Sequence, residues 1–509
     1  MGAATVAVAS TNGFLLGCTG QALEKPTLAA GANPKKPSYF DRFGVNETMM
    51  REGLTEALAH GGDKADLFFQ HRVFNVLVLE DGEVNRASTQ VELGVGVRVV
   101  RGDQTGYAFT EELTRDAILR AAKTAAAVAD GPARPGPKEF AISGSPQRYA
   151  IDVTWDGVKP GQKLPILDGI NAAVFKADGR VKKVTIALMD EAGAILIADS
   201  EGRIIEDIRP MTAMYVSCVA EQGGRRESNG YNVAGRRGLD FYSTDLLGRV
   251  VREAVSRTTV LFDAAPAPTG EMPVVLAAGS SGILLHEAIG HGMEADFNRK
   301  GTSIYSDKIG KPVAKPFVSI VDDATPEHAR GAINVDDEGN PAGVTTLVDK
   351  GILTTYLHDA ISAKHYGLQP TGNGRRESYQ HAPMPRMRAT YMLPGPHERD
   401  EIVASVKQGI YCQSFSNGQV NIGAGDFTFY VKNGFLIENG KLTRPIKDVN
   451  IIGNGPKVLE KIDMVGKDLV IDEGGWTCGK NGQGVPVSQG IPTVRVASIT
   501  VGGQAQKQG

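Results

Sequence analysis

The sequence predicts an α+β protein, with an amino-terminal α+β part and a β-rich carboxy-terminal part that carries a short helix bearing two histidines. Three observations predict it. Apolar residues alternate with a period of two, as in Val91, Leu93, Val95, Val97 and Val99. Stripes of small apolar residues at helical spacing, such as Ala117, Ile118, Ala121, Ala122, Ala125 and Val128, supply cover for such sheets. In the second half, glycine-rich β patterns are punctuated by polar turns, Asp337-Glu338-Gly339 and Glu438-Asn439-Gly440 among them, as in an extensive antiparallel sheet.

A chain of 509 residues, 41% hydrophobic and 22% charged, has room for a large core in two to four domains. Its formal net charge of -3 gives no electrostatic footprint for nucleic acid or an anionic membrane, and both are discounted as partners. No run of about twenty apolar residues is present, so no transmembrane helix is expected. Cys18, Cys218, Cys412 and Cys478 are too few and too scattered for a disulfide framework.

Residues 1–38 read as a tail with a linker. Leu15-Leu16-Gly17-Cys18 is similar to the lipobox of bacterial lipoproteins but lacks a positive leader, so the segment is either a truncated export or lipoprotein signal or a disordered tail. An amino-terminal α+β domain follows over 39–262. Asn46 caps a helix that stops at Gly61-Gly62, Ala65–Leu79 is a strand, and Asp81-Gly82 turns it into the alternating run. The helix at 114–129 covers that sheet. After Pro/Gly clusters at 131–137 and 157–161 come a helix at 164–177, strands at 181–189, 193–199 and 203–219, and a helix at 243–259. The two blocks of helix plus meander hint at duplication, with no sequence repeat behind it. Cys218 and Cys412 read as buried thiols.

The linker 263–268 opens a carboxy-terminal, β-rich catalytic domain over 263–509. Met272–Ala278 is a strand, Gly279-Ser280-Ser281 a turn, and Gly282 begins the helix that carries Leu285-His286-Glu287-Ala288-Ile289-Gly290-His291. Metal-binding histidine pairs on helices are usually four apart; these are five apart, which swings the second ring about 140° from the first on an ideal helix. Shared ligation therefore requires a distortion. A single-turn π-bulge would return both rings to one face, and Gly290 is where it is expected, because glycine tolerates irregular backbone. A catalytic zinc needs one more protein ligand, and spacing leaves Glu294, Asp296 and Cys478 as alternatives.

The segments LLHEAIGHGMEADFNRKGTS, PTGNGRRESYQHAPMPRM, TYMLPG and CGKNGQGVPVSQGIPTVRVASITVGG, with ADLFFQ and ELGVGVRVVRGDQTGYAF upstream, closely resemble the TldD branch of the TldD/PmbA family of bacterial and archaeal metallopeptidases. The resemblance runs from Ala65 to Gly503. It implies zinc held by His286, His291 and Cys478, with Glu287 as general base on a zinc-bound water, and leaves Glu294 and Asp296 as supports or helix-surface residues. It also implies a peptide or unfolded-polypeptide substrate, bound extended, and a dimer formed by one chain or with a PmbA/TldE-like partner. By the resemblance the location is cytoplasmic, or exported and lipid-anchored if Cys18 closes a signal. The competing expectation is a non-catalytic peptide-binding partner with a structural metal, against which an intact Glu287 stands. Candidate substrate contacts are Arg376, in the second of two GRRES pentapeptides, His381 as an oxyanion donor, and Gln419 in the edge-strand candidate Gln419–Ile422.

Overall fold

The computed structural model describes residues 37–503, so Cys18 and the leader-like segment lie outside the described residues. The first sheet is built on two long strands, Lys64–Glu80 and Val181–Asp199, paired antiparallel along most of their length. On one side the first continues through Glu83–Arg101 to Gln104–Thr110. On the other, Val181–Asp199 continues through Met211–Gln222 to Arg225–Gly235, with Arg203–Ile208 paired to its far end. Each half of the sheet thus has the order helix, three-strand meander, helix, and two short strands, Ala141–Ile142 and Arg203–Ile208, are added beside the second.

The helices form where capping and apolar periodicity coincide. The Asn46 side chain accepts from the Met49 N–H at 3.0 Å and starts Glu47–Ala57; Thr114 and Ser243 do the same for Arg115–Ala126 and Thr244–Thr259. Ala121, Ala122 and Ala125 are buried with Val95, Val97 and Val99 in one core. Leu167, Ile170, Val174, Val250 and Ala254 are buried with Val184, Ile186, Met214 and Cys218 in a second.

Four expectations change here. The helix set at 164–177 begins earlier and spans Pro160–Ala177. The strands expected at 181–189 and 193–199 are one, because ladder pairing on both flanks overrides a sequence that reads as a turn; Asp190 inside it is held by Asn75 Nδ2 at 2.8 Å and Lys163 Nζ at 2.5 Å. The run at 203–219 is instead two strands interrupted at Arg209-Pro210, where proline cannot donate to a ladder. A further strand, Arg225–Gly235, was not expected, and it turns the first GRRES pentapeptide into a hairpin arm.

In the second half, the strands Gln408–Asn421, Gly270–Leu276, Val494–Gly503, Val449–Asn454 and Asp426–Glu438 pair in that order, and the last pairs back to the first, so the five close into a ring. A six-stranded sheet, with Ile320–Asp323, Ala389–Met392 and Ser488–Ile491 near its middle, stands beside it. The histidine-bearing segment is buried among Phe427, Phe429, Val496, Met387, Met392 and Ile491, which come from both sheets and the chain between them.

The turn at Asp337-Glu338-Gly339 is buried, unlike an ordinary polar turn. Arg98, from the first sheet and 1% exposed, donates to Asp66 Oδ2 and to Glu338 Oε1, both at 2.6 Å, and Arg209 reaches Asp337 at 2.6 Å. Arginines of one sheet thereby neutralise carboxylates of the other half. Removing one partner strands a buried charge, so Arg98→Ala is expected to cost about 3–5 kcal/mol in urea unfolding. The exposed pair Arg115 and Glu52 gives the contrast: Arg115→Ala should change stability by about 1 kcal/mol or less.

Candidate metal centre

A short turn of 3-10 helix at Ser280–Gly282 leads through Ile283–Leu285 into a π turn at His286–Gly290, followed by a second 3-10 turn at His291–Met293. The His291 N–H donates to the His286 carbonyl five residues back, the bond that defines a π turn. The extra residue is absorbed there. The rings of His286 and His291 lie with centroids 5.1 Å apart and planes at 85°.

Gly290 sits inside this turn, for a different reason from the one expected. Its dihedrals, φ -55 and ψ -54, are open to any residue. What the position lacks is room, since a Cβ there would lie 1.9 Å from Met387 Sδ. Gly282 and Gly292 are tight for the same cause, against the backbone of Gly490 and the ring of Tyr305. Carbonyls of the distorted segment find side-chain donors: Tyr305 Oη donates to Ala288 O at 3.0 Å, and Ser303 Oγ and Asn298 Nδ2 donate to Gly292 O at 2.5 and 2.8 Å.

The third member of the cluster arrives from far along the chain. Cys478 lies in the hairpin Thr477–Lys480 and Gln483–Pro486, turned by Asn481 and Gly482 at positive φ. Its Sγ is 3.3 Å from His291 Nε2, and one donor atom each from His286, His291 and Cys478 fall within 4.8 Å of one another. Arg386 pins the hairpin, donating to Cys478 O at 2.5 Å and Gln483 O at 3.2 Å.

Of the two acidic alternatives, Glu294 turns back onto the cluster without joining it. Its Oε2 is 3.0 Å from His291 Nδ1 and 3.1 Å from Lys480 Nζ. Asp296 pairs with Lys480 at 2.7 Å. A carboxylate on the outer nitrogen of a histidine fixes its tautomer and orientation. Lys480 and Arg386 were not singled out from sequence. Lys480 had a signal, lying two residues from Cys478 on the same strand face; Arg386 had none.

Electrostatics follow from this packing. Burial would push the Cys478 thiol up, but the two imidazoles hold it well below its ordinary value. Burial would likewise lower His291, yet Glu294 and Cys478 raise it well above the usual imidazole range. Burial opposes ionisation of Glu294 too, and Lys480 and His291 bring it down to about 2. Glu287, half-buried and without a hydrogen bond among the described residues, is raised by burial, partly offset by the two imidazoles. Two buried imidazoles and a readily ionised thiol, with His286 Nδ1 buried and unpartnered, form a donor set that fits a borderline-soft divalent ion.

None of the substrate-contact candidates is one of the three clustered donors. Arg376 is buried, with Asp66, Asp337 O and Tyr107 as partners and its guanidinium 4.3 Å above the Phe68 ring, none of which belongs to the cluster. His381 is half-buried and bonded through Nδ1 to Ser378 Oγ at 3.1 Å. Gln419 is exposed, opposite Thr428 in the ring sheet.

A buried His-His-Cys set of this kind places the chain in the class of candidate metal-binding proteins. Three family models match the chain: PmbA/TldA metallopeptidase domain 1 over residues 65–129, the central domain over 154–262, and the C-terminal domain over 269–503. A metalloprotease TldD homolog of Haemophilus influenzae is 41% identical, covering 87% of this chain and 93% of the relative. A zinc metalloprotease TldD homolog of Saccharolobus solfataricus is 28% identical over 87% of this chain and 97% of its own. Solved structures share the fold: a protein of Thermotoga maritima described as a modulator of DNA gyrase has a TM-score of 0.71 at 20% identity over 86% of this chain and 96% of its own, and TldE from Thermococcus kodakarensis has 0.70 at 17% over 90% and 99%. The chain belongs to the PmbA/TldD family and is a metallopeptidase. Among the described residues, no helix is long and apolar enough to cross a membrane.

Packing around the π turn gives a test. Gly290→Ala forces overlap with Met387 and is expected to lose about 1–3 kcal/mol. In a Met387→Ala background the same Gly290→Ala change should cost markedly less, read as the coupling in a double-mutant cycle on stability, because the truncation opens the space the new methyl needs.

Proposed function

We propose that the chain is a zinc-dependent peptidase acting on small or unfolded peptides, with the ion on His286, His291 and Cys478 and with Glu287 as general base. The observation that carries this reading is the meeting of those three donors beside a carboxyl group held above its usual pKa by burial. Such a group is a better proton acceptor than an exposed glutamate. The name of the Saccharolobus relative supports zinc as the metal. Zinc supplies Lewis acidity, acidifying water and polarising the scissile carbonyl.

The remaining roles are the chain's own. Glu287 takes the proton of the attacking water and passes it to the leaving amine. Glu294 keeps His291 oriented through Nδ1, while Lys480 ties Glu294 to the hairpin that carries Cys478. The hairpin arm beyond Cys412 that contains Gln419 pairs through its ladder only with Asp426–Glu438 among the described residues. Its other edge offers backbone groups to an extended peptide, a mode that reads no side chains. The working unit is a homodimer or a pair with a TldE-like chain, as the family resemblance implies.

Zinc content and peptide cleavage of variants test the reading. Glu287→Ala should keep zinc and lose activity by about 10²–10⁴-fold, the usual worth of a general base. Full activity in that variant would remove the mechanism. Cys478→Ser should lower zinc content outright. Glu294→Gln should weaken zinc binding, measured by chelator competition, by about 10–100-fold.

A further inference from the structure

Five arginines border a small cavity between the first sheet and the hairpin that carries Cys478, and two of them have no carboxylate partner among the described residues. Arg72, Arg209 and Arg376 pair with Glu191 at 2.8 Å, Asp337 at 2.6 Å and Asp66 at 3.3 Å. Arg375 donates only to carbonyls, Met387 O at 2.5 Å and Pro486 O at 2.8 Å. Arg236 makes no side-chain hydrogen bond or ion pair among the described residues; its Nε is buried without a partner, and its guanidinium lies 4.9 Å from the centre of the Tyr149 ring. Arg236 is 3% exposed and Arg375 4%. A guanidinium stays charged at neutral pH, so burying one without a counter-charge is costly. Burial, only partly offset by Asp337, and the neighbouring guanidiniums of Arg236, Arg386 and Arg209 bring Arg375 down to about 9, and burial lowers Arg236 as well.

We propose that Arg236 and Arg375 form a binding site for a carboxylate group, separate from the metal cluster and behind the hairpin that carries Cys478. The cavity has a volume of about 90 Å³. At about 30 Å³ for each water, that is room for one compact oxyanion. Phe68, Ile195 and Met211 also border it, which suits a ligand charged at one end and apolar behind, rather than a phosphate charged all round. A second cavity of about 320 Å³ adjoins it, sharing Arg72, Glu191, Met211, Glu377, Gly484 and Pro486, so a longer apolar stem can be housed. Thr477 and its ladder partner Pro486 border that second cavity, whereas the next pair, Cys478 and Val485, is buried in the core on the other face of the hairpin. Glu377 does not supply the missing charge: it is exposed and accepts the Gly484 N–H at 2.6 Å. Through Arg375 a bound carboxylate braces both Pro486 of the hairpin and Met387, which packs on Gly290. The site shares no residue with the cluster and does not rest on the peptidase reading.

Thermal unfolding of the full chain is the test, in a buffer free of carboxylate and phosphate and at fixed ionic strength, with sodium acetate, N-acetylalanine, N-acetylalanine amide or sodium phosphate added. A ligand that binds only the folded chain raises the melting temperature with its concentration. Acetate and N-acetylalanine are expected to do so, and the amide is not. Arg236→Met should melt no lower than wild type without added anion, because an apolar side chain replaces an uncompensated buried charge. It should also need at least about tenfold more acetate for the same shift. Arg236→Lys keeps the charge but loses the planar fork; it should need at least about threefold more acetate, and it carries the test if the methionine variant does not fold. N-acetylalanine acting at lower concentration than acetate assigns the site to the carboxy end of a peptide, and acetate acting at equal or lower concentration assigns it to a free small carboxylate. No shift with either acid, the same shift in wild type and both variants, or a larger shift with phosphate than with acetate overturns the proposal.

Discussion

One hydrogen bond sets the geometry of this protein, the five-residue link from the His291 N–H to the His286 carbonyl. An α-helical bond at that point would leave the two rings on different faces. A π turn is poor local structure, since it gives up α-helical hydrogen bonds and backbone preference. It survives because the surroundings are built for it. Tyr305, Ser303 and Asn298 satisfy carbonyls in and just after it, and three glycines let Met387, Tyr305 and the Gly490 backbone press against it. The closed ring of strands and the adjacent sheet then bury the whole segment.

A second tier of charges holds the donors in place. Glu294 sits at the junction of the histidine segment and the Cys478 hairpin, bonded to the outer nitrogen of His291 and to Lys480. Burying a carboxylate alone would be costly, and here a lysine and an imidazole offset that cost. The same logic operates at larger scale between the two halves of the chain, where Arg98, Arg209 and Arg376 meet Asp66, Asp337 and Glu338. Arg376 looks like a substrate grip when read as sequence. In the fold most of its guanidinium is taken up by this stitching.

Much of the local structure was legible because local rules suffice for it. The cap at Asn46 and the Asp81-Gly82 turn were read from residue type, and the predicted π turn followed from the spacing of two histidines. Features that depend on distant partners were not legible. The continuity of Val181–Asp199 through Asp190 needs Asn75 and Lys163, and the buried Asp337-Glu338 turn needs arginines from another sheet. Spacing also could not choose among Glu294, Asp296 and Cys478. The choice depends on where a hairpin 187 residues beyond His291 comes to rest.

That separation shapes how the protein must be assembled. In a small zinc module the ligands are neighbours in sequence, so an ion can gather an otherwise unfolded chain. Here the cysteine lies 187 residues beyond His291 and is held at the cluster by a hairpin pinned by Arg386. Closing so long a loop carries an entropic cost that a single ligand bond does not offset early in folding. Loop entropy alone thus predicts that the three donors come together late in folding, and a chain stalled with an open ring would present two histidines and a distant thiol but no cluster.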